Sequence, residues 1–213
     1  MDFNIFEQRI SKIKELPLPG EISHYKMAPE VRVKELLEGK IVKKNPRKAG
    51  VMALFYPGME NRTHLLCILR KTYEGVHSNQ VALPGGKVEN EDLDLEMTAL
   101  RETHEEVGVA PADVEVVRKL TEVYIPPSNF EVQPFVGLYK RPKPFKIQES
   151  EVESLLEISL TDFLEDLNMV TKTLSTSYAK DIDVPAFKLN NYIVWGATAM
   201  MLSEIKDLLK QVL

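Results

Sequence analysis

The chain has 213 residues, of which 44% are hydrophobic and 28% charged, with a formal net charge of −5. This is long enough for one domain with a substantial core, and the composition excludes wholesale disorder or a collagen-like fibre. The acidic balance argues against a nucleic-acid binder driven by basic charge. No apolar run reaches the ~18–20 residues that cross a bilayer. The single cysteine, Cys67, excludes an internal disulfide and a cysteine-rich zinc site.

Phe3, Phe6, Ile10, Ile13 and Leu16 recur at helical spacing and predict a short amphipathic helix, ended by Pro17, Pro19 and Gly20. A second helix is predicted over Pro29 to Leu37, before Gly39. The basic run Lys40, Lys43, Lys44, Arg47, Lys48 reads either as a solvated loop or as a contact for a distal phosphate. Ala49–Tyr56 and His64–Arg70 read as a hairpin, and Gln80–Leu83 as a brief strand entering Pro84-Gly85-Gly86. A helix follows over Asp92–Val107, then strands over Val114–Val123, Val132–Tyr139 and Leu155–Leu160. A short helix over 161–168, a strand over Ala186–Trp195 and a closing helix over Ala197–Val212 complete the chain. The order predicts an α/β fold, a mixed sheet flanked by helices, with an N-terminal helical extension over 1–45 and the main domain over 46–213. Neither end carries a targeting signal, so a cytoplasmic location is expected.

The segment Leu83 to Val109 is the most informative. On a helical wheel Glu102, Glu106 and Glu105 fall near 0°, about +40° and about −60°, one face carrying three carboxylates. Leu93, Met97, Leu100 and Val107 lie on the opposite side and are expected to be the buried stripe, with His104 a structural residue among them; Leu95 breaks the pattern and lands among the acids. The acids sit at the C-terminal end of the helix, where the helix dipole disfavours negative charge. That penalty points to a cation there, and oxygen-only ligands suit Mg²⁺ or Mn²⁺. From Glu89 to Glu106 there are eight acids and one base, a local charge of −7 that leaves +2 for the rest. The acidity is local, and a bound cation would reconcile it with a phosphate-bearing substrate.

Gly86, Asp92 and Arg101-Glu102-Thr103-His104-Glu105-Glu106-Val107-Gly108-Val109 resemble the Nudix box, G-x5-E-x7-R-E-U-x-E-E-x-G-U with U apolar. Asp92 stands where the box has glutamate, and eight residues rather than seven separate it from Arg101, so Asp94 competes for the same role. The resemblance implies a Nudix-type α/β/α sandwich that hydrolyses a diphosphate linked to another moiety. It implies metal ligation by Glu102, Glu105, Glu106 and the Gly86 carbonyl, and a structural Arg101 paired with Asp92 or Asp94. Glu105 is the first candidate for the general base and Glu151 the second.

The flanks resemble the coenzyme A pyrophosphatase subfamily over about residues 49–212. Arg70, His77, Gln80, Val81 and Pro84-Gly85-Gly86 match upstream, and the longer spacing between Asp92 and Arg101 is a subfamily feature. Pro126-Pro127-Ser128-Asn129-Phe130, Val132-Gln133-Pro134-Phe135-Val136-Gly137 and Trp195-Gly196-Ala197-Thr198-Ala199-Met200 match downstream. Gly75 replaces a second arginine, which would remove a phosphate clamp, and Asn79 replaces a glycine. The resemblance implies a small-molecule nucleotide substrate, coenzyme A or an acyl derivative, cleaved to adenosine 3′,5′-bisphosphate and (acyl-)phosphopantetheine. Arg70, His77, Gln80, Tyr124 and Phe130 are the expected substrate-binding residues. ADP-ribose or another nucleoside diphosphate sugar is the alternative substrate, and a non-catalytic nucleotide-binding module is the alternative of another class. Neither nucleic acid nor membrane is an expected partner; the fold admits a homodimer.

Overall fold

The computed structural model describes residues 1–41, 43–71, 80–174 and 181–213. Three short helices open the chain: α1 (Phe3–Ile10), α2 (Glu21–Tyr25) and α3 (Glu30–Leu37). Strands β1 (Arg47–Pro57), β2 (Thr63–Arg70), β3 (Val81–Ala82) and β4 (Gly85–Lys87) lead into helix α4 (Leu95–Val107). Then come β5 (Glu115–Lys119), β6 (Val123–Ile125), β7 (Phe130–Leu138), β8 (Val152–Ser159) and α5 (Leu160–Leu164). The chain closes with β9 (Met169–Leu174), β10 (Ile182–Leu189), β11 (Tyr192–Trp195) and α6 (Gly196–Val212).

The main sheet runs β3-β2-β1-β7-β5, with β4 beside β1, β6 beside β7 and β8 beside β2; β9, β10 and β11 form a second sheet. β1 and β7 pair in parallel, whereas β1 is antiparallel to β2 and β4. β1 explains the uninterrupted run Val-Met-Ala-Leu-Phe-Tyr. Ala49, Val51, Ala53 and Phe55 enter one core with α6, while Met52, Leu54 and Tyr56 enter another with Ala99 and Val107 of α4. A strand covered on both faces needs no polar alternation.

The N-terminal helices do not build a core of their own. Phe3, Phe6, Ile10, Ile13 and Met27 join the α6 side of the main core. Their attachment is polar as well: the fully buried Glu204 carboxylate of α6 accepts from Gly20 N–H at 3.1 Å and from the Thr121 N–H and hydroxyl at 3.2 and 2.6 Å, and lies 3.2 Å from His24 Nε2. Burial pushes this carboxyl up, but the His24 and Thr121 hydrogen bonds outweigh it and hold the group below the usual carboxylate range.

Several element predictions differ from the structure. The strand expected over Ala186–Trp195 is a hairpin: Asn190 and Asn191 both adopt positive φ, 46° and 65°, and turn β10 into β11 with Leu189 opposite Tyr192. Adjacent asparagines tolerate the left-handed conformation that a tight hairpin turn demands. The strand expected over Val114–Val123 divides into β5 and β6, and the unforeseen β4 and β9 complete the two sheets.

Candidate active site

Helix α4 begins where Asp94 accepts the Met97 N–H at 2.8 Å and ends at Gly108, whose φ of 76° gives a left-handed cap. It lies directly on β1. A Cβ built on Gly50 would sit 2.2 Å from the Leu95 carbonyl oxygen and 3.0 Å from the Ala99 nitrogen. That close approach decides which face is buried: Thr98, Ala99, Thr103, Glu106 and Val107. The stripe read from the sequence is therefore wrong for Leu93 and Met97, which are 87% and 43% exposed, and His104 is exposed too. Small residues bury here because only they let the helix backbone touch the strand, and Leu95 sits among the acids because that side faces the sheet.

Glu106 is consequently buried. Its Oε2 accepts the Gly85 N–H at 2.8 Å and its Oε1 lies 3.2 Å from Arg70 Nη1, which is also 3.5 Å from the Gly85 carbonyl oxygen. Burial pushes the Glu106 carboxyl up to about 7 against the pull of Arg70 and the Gly85 N–H. Glu102 occupies the space that the missing side chain of Gly86 leaves open, since a Cβ there would meet its carboxylate at 2.4 Å. Burial raises its pKa as well, and the charges of Glu105 and Glu151 add to the rise while Arg101 opposes it. Glu151, exposed on the turn before β8, also raises the pKa of Glu106, so its charge acts on both helix acids.

Arg101 organises the other side. Its Nε and Nη2 donate to Asp92 at 2.9 and 3.0 Å, and Nη2 also donates to the Lys87 carbonyl at 3.0 Å. Its Nη1 reaches Glu102 at 3.1 Å and the half-exposed Glu105 at 3.0 Å. Asp92 thus takes the two-pronged partner position, while Asp94 caps the helix. The Arg101 guanidinium beside Asp92 holds its carboxyl down at about 2. A group depressed in this way contributes stability above the unfolded value near 3.8, and that contribution is lost as pH falls through about 2. In a carbon-detected NMR titration the Asp92 carboxyl is expected to have its midpoint near 2, and a midpoint near 4 would remove the pair from this account.

The remaining candidates are dispersed. Tyr124 donates to Asn129 Oδ1 at 2.9 Å, and the Arg47 guanidinium lies 4.1 Å above the Phe130 ring. The strand sequence β4-β1-β7-β6 separates Tyr124 from Gly86 by three strand spacings, about 14 Å. Gln80 meets Arg70 through its carbonyl, which accepts the Arg70 N–H at 3.0 Å. His77, Gly75 and Asn79 lie outside the described residues. Much of the basic run is internally paired: Lys43 and Lys48 both bond the nearly buried Glu131, and Lys40 meets Glu38 at 2.6 Å. Glu131 was not legible as their partner, because strand pairing rather than sequence proximity places it opposite Lys48.

Among the described residues, no three Asp, Glu, His or Cys side chains are gathered closely enough to hold a metal ion as they stand. The donor chemistry nonetheless fits a hard cation. Glu102 and Glu106 are desolvated, the charge of Glu102 raises the pKa of Glu106, the charge of Glu151 raises both, and every donor is oxygen.

A family model described as the NUDIX domain matches residues 44–170. The chain belongs to the Nudix hydrolase family. It is 32% identical over 167 residues to Nudix hydrolase 22, chloroplastic, of Arabidopsis thaliana, covering 76% of this chain and 55% of that protein. It is 33% identical over 156 residues to the peroxisomal coenzyme A diphosphatase ndx-8 of Caenorhabditis elegans, covering 72% of this chain and 64% of that protein. The chain thus spans little more than half to under two thirds of these relatives' length. The crystal structure of the Nudix hydrolase RenU from M. smegmatis superposes with a TM-score of 0.53 at 14% identity, covering 79% of this chain and 88% of that one, a likeness of fold. The two relatives' names carry different compartments, so family membership assigns none to this chain. No helix among the described residues is long and apolar enough to cross a membrane.

Proposed function

We propose that this Nudix chain hydrolyses the diphosphate of coenzyme A or an acyl-coenzyme A, with Mg²⁺ or Mn²⁺, to adenosine 3′,5′-bisphosphate and (acyl-)phosphopantetheine. The observation that carries the reaction class is the placement of buried Glu106 on the Gly85 N–H and of Glu102 against Gly86, with the charge of Glu151 acting on both carboxylates. The substrate rests on the matching segments on both sides of the box and on the relative named a coenzyme A diphosphatase. Glu102, Glu105, Glu106 and the Gly86 carbonyl would hold the cation, which when bound neutralises phosphate charge and acidifies water. Arg101, fixed by Asp92 and Lys87, keeps Glu102 and Glu105 turned to one side. Glu105 and Glu151 are the two groups exposed enough to accept a proton from attacking water. Arg70, His77 and Gln80 would bind the substrate beside the diphosphate, with Tyr124 and Phe130 reserved for a more distant part.

The test is turnover of coenzyme A, ADP-ribose, dinucleoside polyphosphates and deoxynucleoside triphosphates with Mg²⁺ and with a chelator. Coenzyme A is expected to be consumed only with the metal. Consumption of ADP-ribose with coenzyme A untouched would overturn the substrate, and binding without turnover of any of them would favour a non-catalytic module. A narrower result is expected for Gly86→Ala. The added methyl displaces only the flexible end of Glu102, so the melting temperature should stay within about 3 °C of the parent chain. A misplaced ligand should lower kcat/KM about 10–100-fold. Unchanged kcat/KM would show that the position of Glu102 does not matter.

A further inference from the structure

The two arginines of the site are held very differently. Arg101 is pinned by Asp92 through two nitrogens and by the Lys87 carbonyl before it reaches Glu102 and Glu105. Arg70 stands at the end of β2, partly exposed, and among the described residues its guanidinium reaches only Glu106 Oε1 at 3.2 Å and the Gly85 carbonyl at 3.5 Å. The second Glu106 oxygen is already taken by the Gly85 N–H at 2.8 Å. Oε1, which carries no backbone donor, is the more open of the two oxygens to a cation, and Arg70 already stands beside it.

We propose that Arg70 is an exchangeable counter-ion for Glu106, which yields the carboxylate to a divalent cation and then donates to a phosphate of the substrate. The inference rests on the reading of Glu106 as a cation ligand. A small divalent cation bonds a carboxylate oxygen at about 2.1 Å. With Nη1 3.2 Å from the same oxygen, the two positive centres could be no more than about 5 Å apart, and they repel. Arg101 cannot leave without abandoning Asp92; Arg70 gives up one charged partner and gains another. Metal and arginine thus alternate on Glu106, and the arrival of the cation delivers a phosphate-binding guanidinium beside it.

The experiment is Mn²⁺ titration of the whole chain at pH 8, read by electron paramagnetic resonance, for the parent, Arg70→Gln, Arg70→Lys and Glu106→Gln. Arg70→Gln is expected to bind Mn²⁺ about tenfold more tightly, because the competitor is gone. Damage to the site would weaken binding instead, so the direction separates exchange from a merely structural role. Arg70→Lys, which keeps the charge, should bind Mn²⁺ within about twofold of the parent. With Mn²⁺ present, Arg70→Gln should bind inorganic pyrophosphate more weakly than the parent. Equal or weaker Mn²⁺ binding by Arg70→Gln, equal tightening by Arg70→Lys, or undiminished pyrophosphate affinity would overturn the exchange while leaving Glu106 a ligand. Absence of Mn²⁺ binding by the parent, or undiminished binding by Glu106→Gln, would overturn the ligand reading as well.

Discussion

Glu106→Gln is expected to lower kcat/KM by about 10³-fold or more while the far-ultraviolet circular dichroism stays that of the parent. A cation supplies several kcal/mol of transition-state stabilisation, and about 4 kcal/mol is about 10³-fold in rate. The amide keeps the volume of the carboxylate and still offers an oxygen to the Gly85 N–H, so the turn has its hydrogen bond. It cannot balance the charge of Arg70 or of a divalent cation. Steady-state kinetics with Mg²⁺ in excess provide the check. Full activity in this variant would place the metal chemistry elsewhere in the molecule.

Gly50→Ala is expected to destabilise the fold markedly. Its methyl would lie 2.2 Å from the Leu95 carbonyl oxygen and 3.3 Å from the Ala99 Cβ, and the nearest atom is backbone that cannot swing aside. Helix α4 must lift from β1, opening the contacts of Ala99 and Val107 with Met52 and Leu54. Overpacking of this kind costs about 3 kcal/mol, and in a chain of this size that lowers the melting temperature by about 10 °C. Activity should fall as well, because α4 carries Glu102, Glu105 and Glu106. Thermal denaturation decides it: a shift below about 2 °C would mean the helix sits farther from the strand than described.

The chemistry of the box was readable because it is local. Arg101, Glu102, Glu105 and Glu106 fall within six consecutive residues, and helical geometry alone brings them together. Burial of α4 was misread because hydrophobicity marks Leu93 and Met97, whereas the fit against β1 selects Thr98, Ala99 and Thr103 for their small size. Gly50 was the available signal, a glycine inside an otherwise apolar strand, which marks a close backbone approach. The pairs Arg70–Glu106 and Lys48–Glu131 were out of reach, since each joins segments that only the strand order brings together. Glu204 announced itself only as an acid inside the apolar stripe of α6, between Met201 and Ile205. Its partners Gly20, His24 and Thr121 lie more than 80 residues away in sequence.

Mass spectrometry of the products from coenzyme A and Mg²⁺ tests the central claim most directly. Cleavage of the anhydride predicts adenosine 3′,5′-bisphosphate and phosphopantetheine in equal amounts, both abolished by a chelator. Coenzyme A recovered intact, or one that has lost its 3′-phosphate with the diphosphate unbroken, would contradict it.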